Sequence, residues 1–190
     1  MVGSGALAAD SEDTLPKLDA PLHGMDDLLV LFHDAETPRE GWLVGTEAER
    51  IAVGKRDGSR LPYDGPVSVN AIFERLIAQQ GWEAQRETPG GPIIALRRPD
   101  GSITLEPGSQ IELSGAPFRS VHEGKLESDE HWDELQPVID ELGLTWLAVG
   151  CHPFASVEEL GWVPKLRYGV MREYMTTRGT MAGDMMTKTC

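Results

Sequence analysis

The sequence has only two cysteines in 190 residues, Cys151 and Cys190. That excludes a disulfide framework, and the five scattered histidines offer neither H-E-x-x-H nor a Cys/His zinc spacing. So few cysteines suit a reducing setting, and a cytoplasmic location is expected. No run of about 20 apolar residues is present to span a bilayer. Met1 to Asp10 lacks a basic stretch followed by an apolar one, so no signal peptide is read. Cations are scarce as well: 17 Lys and Arg stand against 31 Asp and Glu, a net charge of −14. Nucleic-acid backbones need clustered cations, so nucleic acid is not an expected partner. A nucleotide held through metal ions stays open. Walker A and strand–GxGxxG–helix fingerprints are absent.

What is present suffices for a folded core, at 40% hydrophobic residues. Residues 1–22 are expected to be a disordered leader, rich in Gly, Ala, Ser and acids. Residues 23–190 are expected to form one domain portion. Residues 25–33 read as a short helix with Asp26 or Asp27 stabilising its start. A strand follows at about 42–53. Ser68 caps a helix running to Gln80, with Ile72, Phe73, Leu76 and Ile77 on its apolar face and Gly81 at its end. Ile93 to Arg98 reads as a strand, turned by Pro99-Asp100-Gly101 into a hairpin with the strand after it. Residues 120–142 carry the longest helical pattern, with Trp132, Leu135, Ile139 and Leu142 as its buried stripe and Pro137 as a kink. Thr145 to Val149 reads as a buried strand, and 167–176 as a helix.

Two acidic strands carry the chemistry. Side chains on a strand alternate between faces. In Val44-Gly45-Thr46-Glu47-Ala48-Glu49-Arg50, Glu47 and Glu49 therefore share a face. Ile103 to Leu113, taken as one strand, puts Glu106, Gln110 and Glu112 on one face and Ile103, Leu105, Ile111 and Leu113 on the other. Pro107-Gly108 interrupts it, which implies a bulge, an edge or a close backbone approach to a ligand. A Glu-x-Glu strand is common on solvated faces, but two such strands point further. Clustered carboxylates repel and call for a hard divalent cation such as Mg²⁺ or Mn²⁺. Arg167 and Arg172 are among the few cations available to an anionic substrate, and Arg offers a bidentate fork.

Four segments together resemble the plant-type glutamate–cysteine ligases. They are Val-Gly-Thr-Glu-Ala-Glu-Arg at 44–50, Leu-Glu-Pro-Gly-Ser-Gln-Ile-Glu-Leu-Ser-Gly-Ala-Pro at 105–117, Pro-Lys-Leu-Arg-Tyr-Gly-Val-Met-Arg-Glu-Tyr-Met at 164–175, and Gly-Asp-Met-Met-Thr-Lys-Thr-Cys at 183–190. Arg50 stands where the family usually has Lys. The resemblance implies an α+β, glutamine-synthetase-like carboxylate–amine ligase fold, an antiparallel sheet cradle with helices outside. It implies ATP-dependent joining of the L-glutamate γ-carboxylate to the amine of L-cysteine through γ-glutamyl phosphate, the first step of glutathione synthesis. Glu47, Glu49, Glu106 and Glu112 are then the candidate metal ligands, with Gln110 as ligand or orienter. Arg172 and Arg167 are the candidates for clamping substrate carboxylate or the transferring phosphoryl group. Members of the family are markedly longer, so an N-terminal portion with exposed edges is expected. Two alternatives stand beside this reading. One is a related ligase with another amine acceptor; the other is a non-catalytic metal- or nucleotide-binding fragment.

Overall fold

A computed structural model describes residues 21–190, so the leader expected over 1–22 lies almost wholly outside the described residues. The chain divides into two compact units, meeting in sequence at Trp42 and Leu43. In the first, helix α1 spans Met25–Asp34. The Asp27 carboxylate accepts from the backbone N–H of His23 and of Gly24, at 2.6 and 3.1 Å, satisfying donors that a helix start leaves free. A 3-10 turn at Arg39–Gly41 closes this unit.

The second unit is a six-stranded antiparallel sheet with helices. Its elements are β1 (Val44–Gly54), α2 (Val69–Gln80), β2 (Glu83–Arg86), β3 (Ile93–Arg98), β4 (Gly101–Leu105), β5 (Ile111–Phe118), α3 (Val121–Glu141), β6 (Leu144–Leu147), α4 (Val157–Leu160), α5 (Leu166–Met175) and α6 (Ala182–Lys188). The strand order is β2-β3-β4-β5-β1-β6. This is an α+β arrangement, as expected.

Local chemistry sets the boundaries. Ser68 Oγ accepts from Ala71 N at 3.0 Å, and Gly81 takes a left-handed φ of 71° that ends α2. Ser120 and Glu123 cap α3 reciprocally, and Gly143 follows its end with φ 67°. Pro137 lies inside α3 without ending it. Both helices pack on one face of the sheet. There Phe73, Leu76, Leu96, Ile103, Leu105, Leu135 and Ile139 form the core.

Several expectations need correction. The stretch 103–113 is two strands, because Glu106 to Gln110 form a turn. Ser109 N donates to Glu106 O and Glu106 N to Gln110 O, while Ser109 adopts φ 75° and Pro107 offers no donor. The buried stripe of α3 includes His131 and Val138, and Trp132 is only half-buried, set edge-on to Trp146. The strand near 145–149 is β6 at the sheet edge, where only Leu144 is buried. Nothing in Glu83 to Arg86 marks β2 as a strand, since Glu-Ala-Gln-Arg lacks the apolar alternation that strands show.

Candidate active site

The face of the sheet opposite α2 and α3 carries the acids. Glu49 on β1 stands directly across from Glu112 on β5, and Glu112 directly across from Thr104 on β4. Thr104 Oγ1 donates to Glu112 Oε2 at 2.8 Å, and Ser114 Oγ to Glu112 Oε1 at 3.4 Å. Like charges facing across a ladder destabilise it. The consequence appears at Glu49, whose pKa is pushed up to about 7 by burial and then by the charges of Glu106 and Glu112. Glu106, on the turn, is raised by burial and by Glu112, and partly relieved by Lys165 and Arg167. Three of the four glutamates singled out in the sequence are thus electrostatically joined.

Glu47 is placed differently. It shares the face of Glu49, opposite Ser114, but it is exposed. Gln110 is also displaced from the expected row. It is buried, its Nε2 donates to Thr189 O at 2.7 Å, and its Oε1 has no protein partner. The segment after α6 lies over this part of the face. Cys151 and Thr189 form a β-bridge, His152 N donates to Lys188 O at 2.6 Å, and the Cys190 thiol contacts Glu49. Burial and the neighbouring Glu49 push the Cys190 thiol up to about 12. Gly108 meets this segment from below; a Cβ there would overlap the Thr187 carbonyl oxygen. Pro107-Gly108 does approach a partner closely, but that partner is the protein's own backbone and not the ligand expected there.

The cations divide into two places. Arg167, at the start of α5, donates through Nη2 to the Tyr168 hydroxyl at 3.3 Å and lies within the field of Glu106. Arg172 sits in the last turn of α5. Its guanidinium carbon lies 5.3 Å from the Trp162 ring centroid, in a separate cavity.

Two groups beside Glu106 were missed. Lys165 is buried and donates through Nζ to Leu105 O at 2.6 Å; the Tyr168 hydroxyl donates to the same oxygen at 2.5 Å. Burial, then Arg167, pulls the Lys165 ammonium down to about 8, against the attraction of Glu106 and Glu112. Their signal was the Pro-Lys-x-Arg-Tyr run itself, where a buried Lys beside an Arg needs acceptors and a nearby acid.

Among the described residues, no three His, Cys, Asp or Glu side chains stand close enough to hold one metal ion. The donor chemistry does suit a hard divalent cation. The candidate donors are carboxylates only, Glu49, Glu106 and Glu112, and two of them are held above their ordinary pKa partly by mutual repulsion.

Residues 43–190 match the family described as glutamate-cysteine ligase family 2 (GCS2). The chain is 35% identical over 166 residues to the chloroplastic glutamate–cysteine ligase of Brassica juncea, covering 87% of this chain and 31% of that protein. It is 34% identical over 166 residues to the Arabidopsis thaliana chloroplastic enzyme, with 87% and 31% covered. To the chloroplastic ligase A of Oryza sativa subsp. japonica it is 30% identical over 188 residues, with 99% and 37% covered. The chain therefore spans about a third of the length of the curated relatives it matches. Their chloroplastic names overturn the cytoplasmic expectation. Scarce cysteines speak to redox chemistry, and redox chemistry alone does not identify a compartment.

Proposed function

The chain belongs to glutamate-cysteine ligase family 2, and we propose that it supplies the acidic face of an ATP-dependent ligase joining the γ-carboxylate of L-glutamate to the amine of L-cysteine. The product would be γ-glutamylcysteine, the first step of glutathione synthesis, formed through γ-glutamyl phosphate. The single observation that carries this reading is the convergence of Glu49, Glu106 and Glu112 on one sheet face, with Lys165 and Arg167 at its rim. In this reading the six strands are part of a glutamine-synthetase-like cradle.

No three of these side chains stand close enough to share one ion, so Glu49, Glu106 and Glu112 would each give at most part of a ligand set to Mg²⁺ or Mn²⁺ carried in on the phosphates, with Glu47 on the same face and Gln110 orienting the segment above. When bound, such ions would supply charge neutralisation at the phosphate oxygens of ATP. The chain's own residues do the rest. The carboxylates repel bare phosphate, so ATP reaches this face only with its counter-ions. Arg167, exposed and beside Glu106, can meet a phosphoryl or carboxylate oxygen with a fixed fork. Lys165 and Tyr168 tie the end of β4 to the start of α5, which fixes the distance between Glu106 and Arg167. The test is isotopic. With glutamate labelled by oxygen-18 in its γ-carboxylate, one label per turnover should appear in inorganic phosphate. Product without label transfer would eliminate the acyl-phosphate route.

A further inference from the structure

Gln110 and His152 are almost fully buried, 2% and 4% exposed. Among the described residues, neither Gln110 Oε1 nor His152 Nε2 has a hydrogen-bond partner. Buried polar atoms rarely go unmatched, and two in one place call for an occupant. Both residues line a cavity of about 10 Å³, about the room that one water needs. Ala52, Leu61 and Leu160 line it too and bring no polar side chain. The protons decide what fits. His152 Nδ1 accepts from Phe154 N at 3.3 Å and from Ala155 N at 3.1 Å. The ring proton therefore sits on Nε2, which is a donor and cannot ligate a metal ion. Burial, then the Lys188 ammonium, holds His152 below its ordinary pKa, so the ring stays neutral. Gln110 donates through Nε2 to Thr189 O, which leaves Oε1 as an acceptor. A Cβ on Gly108 would overlap both Gln110 Oε1 and the Thr187 carbonyl oxygen, so these two acceptors stand at one wall of the cavity. Thr187 lies in the last turn of α6, where carbonyls have no partner within the helix. One donor thus faces two acceptors.

We propose that this cavity binds one buried water, which accepts from His152 Nε2–H, donates to Gln110 Oε1 and Thr187 O, and fastens the segment after α6 over the acidic face. A cation would meet the Nε2 proton and an anion would meet two carbonyl oxygens, whereas a water suits all three. The water adds to the bonds from His152 N to Lys188 O and from Gln110 Nε2 to Thr189 O, and so keeps Cys190 against Glu49. Both ends of the Gln110 amide then hold this segment, and neither serves a metal ion. The site is independent of the ligase reading, since it needs neither ATP nor a metal.

A crystal structure of the unmodified chain tests the site. A water should lie about 2.7–3.2 Å from both His152 Nε2 and Gln110 Oε1. A dry cavity, or a direct bond between the two side chains, would overturn the assignment. Long-range proton–nitrogen correlation by NMR should show His152 as the neutral Nε2–H tautomer at pH 7; the Nδ1–H tautomer would overturn it as well. The fastening is read separately at Cys190, whose thiol is pushed up to about 12 in place, against about 8.5 for a free thiol. Ala52→Val fills the cavity and removes no hydrogen bond between protein groups. Iodoacetamide at pH 8, followed by mass spectrometry of the peptide carrying Cys190, should modify this variant at least about tenfold faster than the unmodified chain. His152→Phe removes the donor and should act in the same direction, so a misfolded Ala52→Val protein does not block the test. Circular dichroism identifies the folded variants. Unchanged Cys190 rates in them would remove the fastening role, and the crystal structure decides the water whether or not either variant folds.

Discussion

The two faces of one sheet are made from the same strands by alternation, and they obey opposite rules. Under α2 and α3, Ile103, Leu105, Ile111 and Leu113 are buried and gain from leaving water. One residue along in each case, Thr104 and Glu112 face the acidic side, where Glu49 is pushed up to about 7. One face gains stability from its side chains, and the other sets like charges against each other. The lesson is that strand periodicity divides charge as well as burial: along residues 111–114, β5 sends Ile111 and Leu113 to the core and Glu112 and Ser114 to the acidic face.

The strongest way to break this division is to cut into the apolar face. Phe73 is fully buried in the core. Phe73→Ala should cost about 3–5 kcal/mol in urea unfolding, while Mn²⁺ affinity of the folded fraction stays unchanged. Coupled losses would mean that the faces are not separable.

Next in size is an acid effect on the apolar side. His131 is buried, its Nδ1 has no protein partner, and burial pulls its pKa down to about 4. A histidine held below its unfolded value contributes stability above about pH 6.5 and loses it as pH falls toward 4. The full loss is roughly 3 kcal/mol. Denaturant unfolding at pH 7 and pH 4.5 should show this slope, and His131→Gln should flatten it. Equal slopes in both proteins would remove His131 as the cause.

On the acidic face the sign reverses. Glu106→Gln and Glu112→Gln should leave thermal stability equal or higher, because repulsion is relieved. Mn²⁺ affinity should fall by about tenfold or more, ~1.4 kcal/mol, for each. Affinity should also fall with acid, since ligating carboxylates must be ionised. Unchanged affinity in both variants would return these residues to a plain solvated surface. The smallest expected effect is a local one. Ser68→Ala removes the cap of α2 and should cost about 1 kcal/mol by denaturant unfolding, with no change in metal binding.

What the sequence reveals follows from how local the cause is. Ser68, Gly81, Ser120 and the Pro99-Asp100-Gly101 turn act within a few residues, and the elements they bound fall where expected. Glu47 and Glu49 share a face because alternation is local too. The errors lie where distant chain intervenes. Gln110 has the parity of Glu112, but Thr189 captures its amide from far along the chain. Glu106 belongs to a turn because Ser109 takes a left-handed conformation that no spacing rule marks. Lys165 is functional in appearance only once Leu105 O and Glu106 are known to be beside it. Arg172 reads like Arg167 in sequence, but five residues along α5 turn it away from Glu106 and into the cavity beside Trp162.

The position of β1 has a consequence in time. It lies inside the sheet, yet it is made first of these six strands, and its neighbours β5 and β6 come much later. Until residues 111–118 are made, both edges of β1 are open to any passing strand. The hairpins β2–β3 and β3–β4 can form as they emerge, so the nascent sheet must grow from its far edge and then close over an older strand. A pause in translation between β1 and β5 should therefore favour aggregation, whereas the same pause after β6 should not.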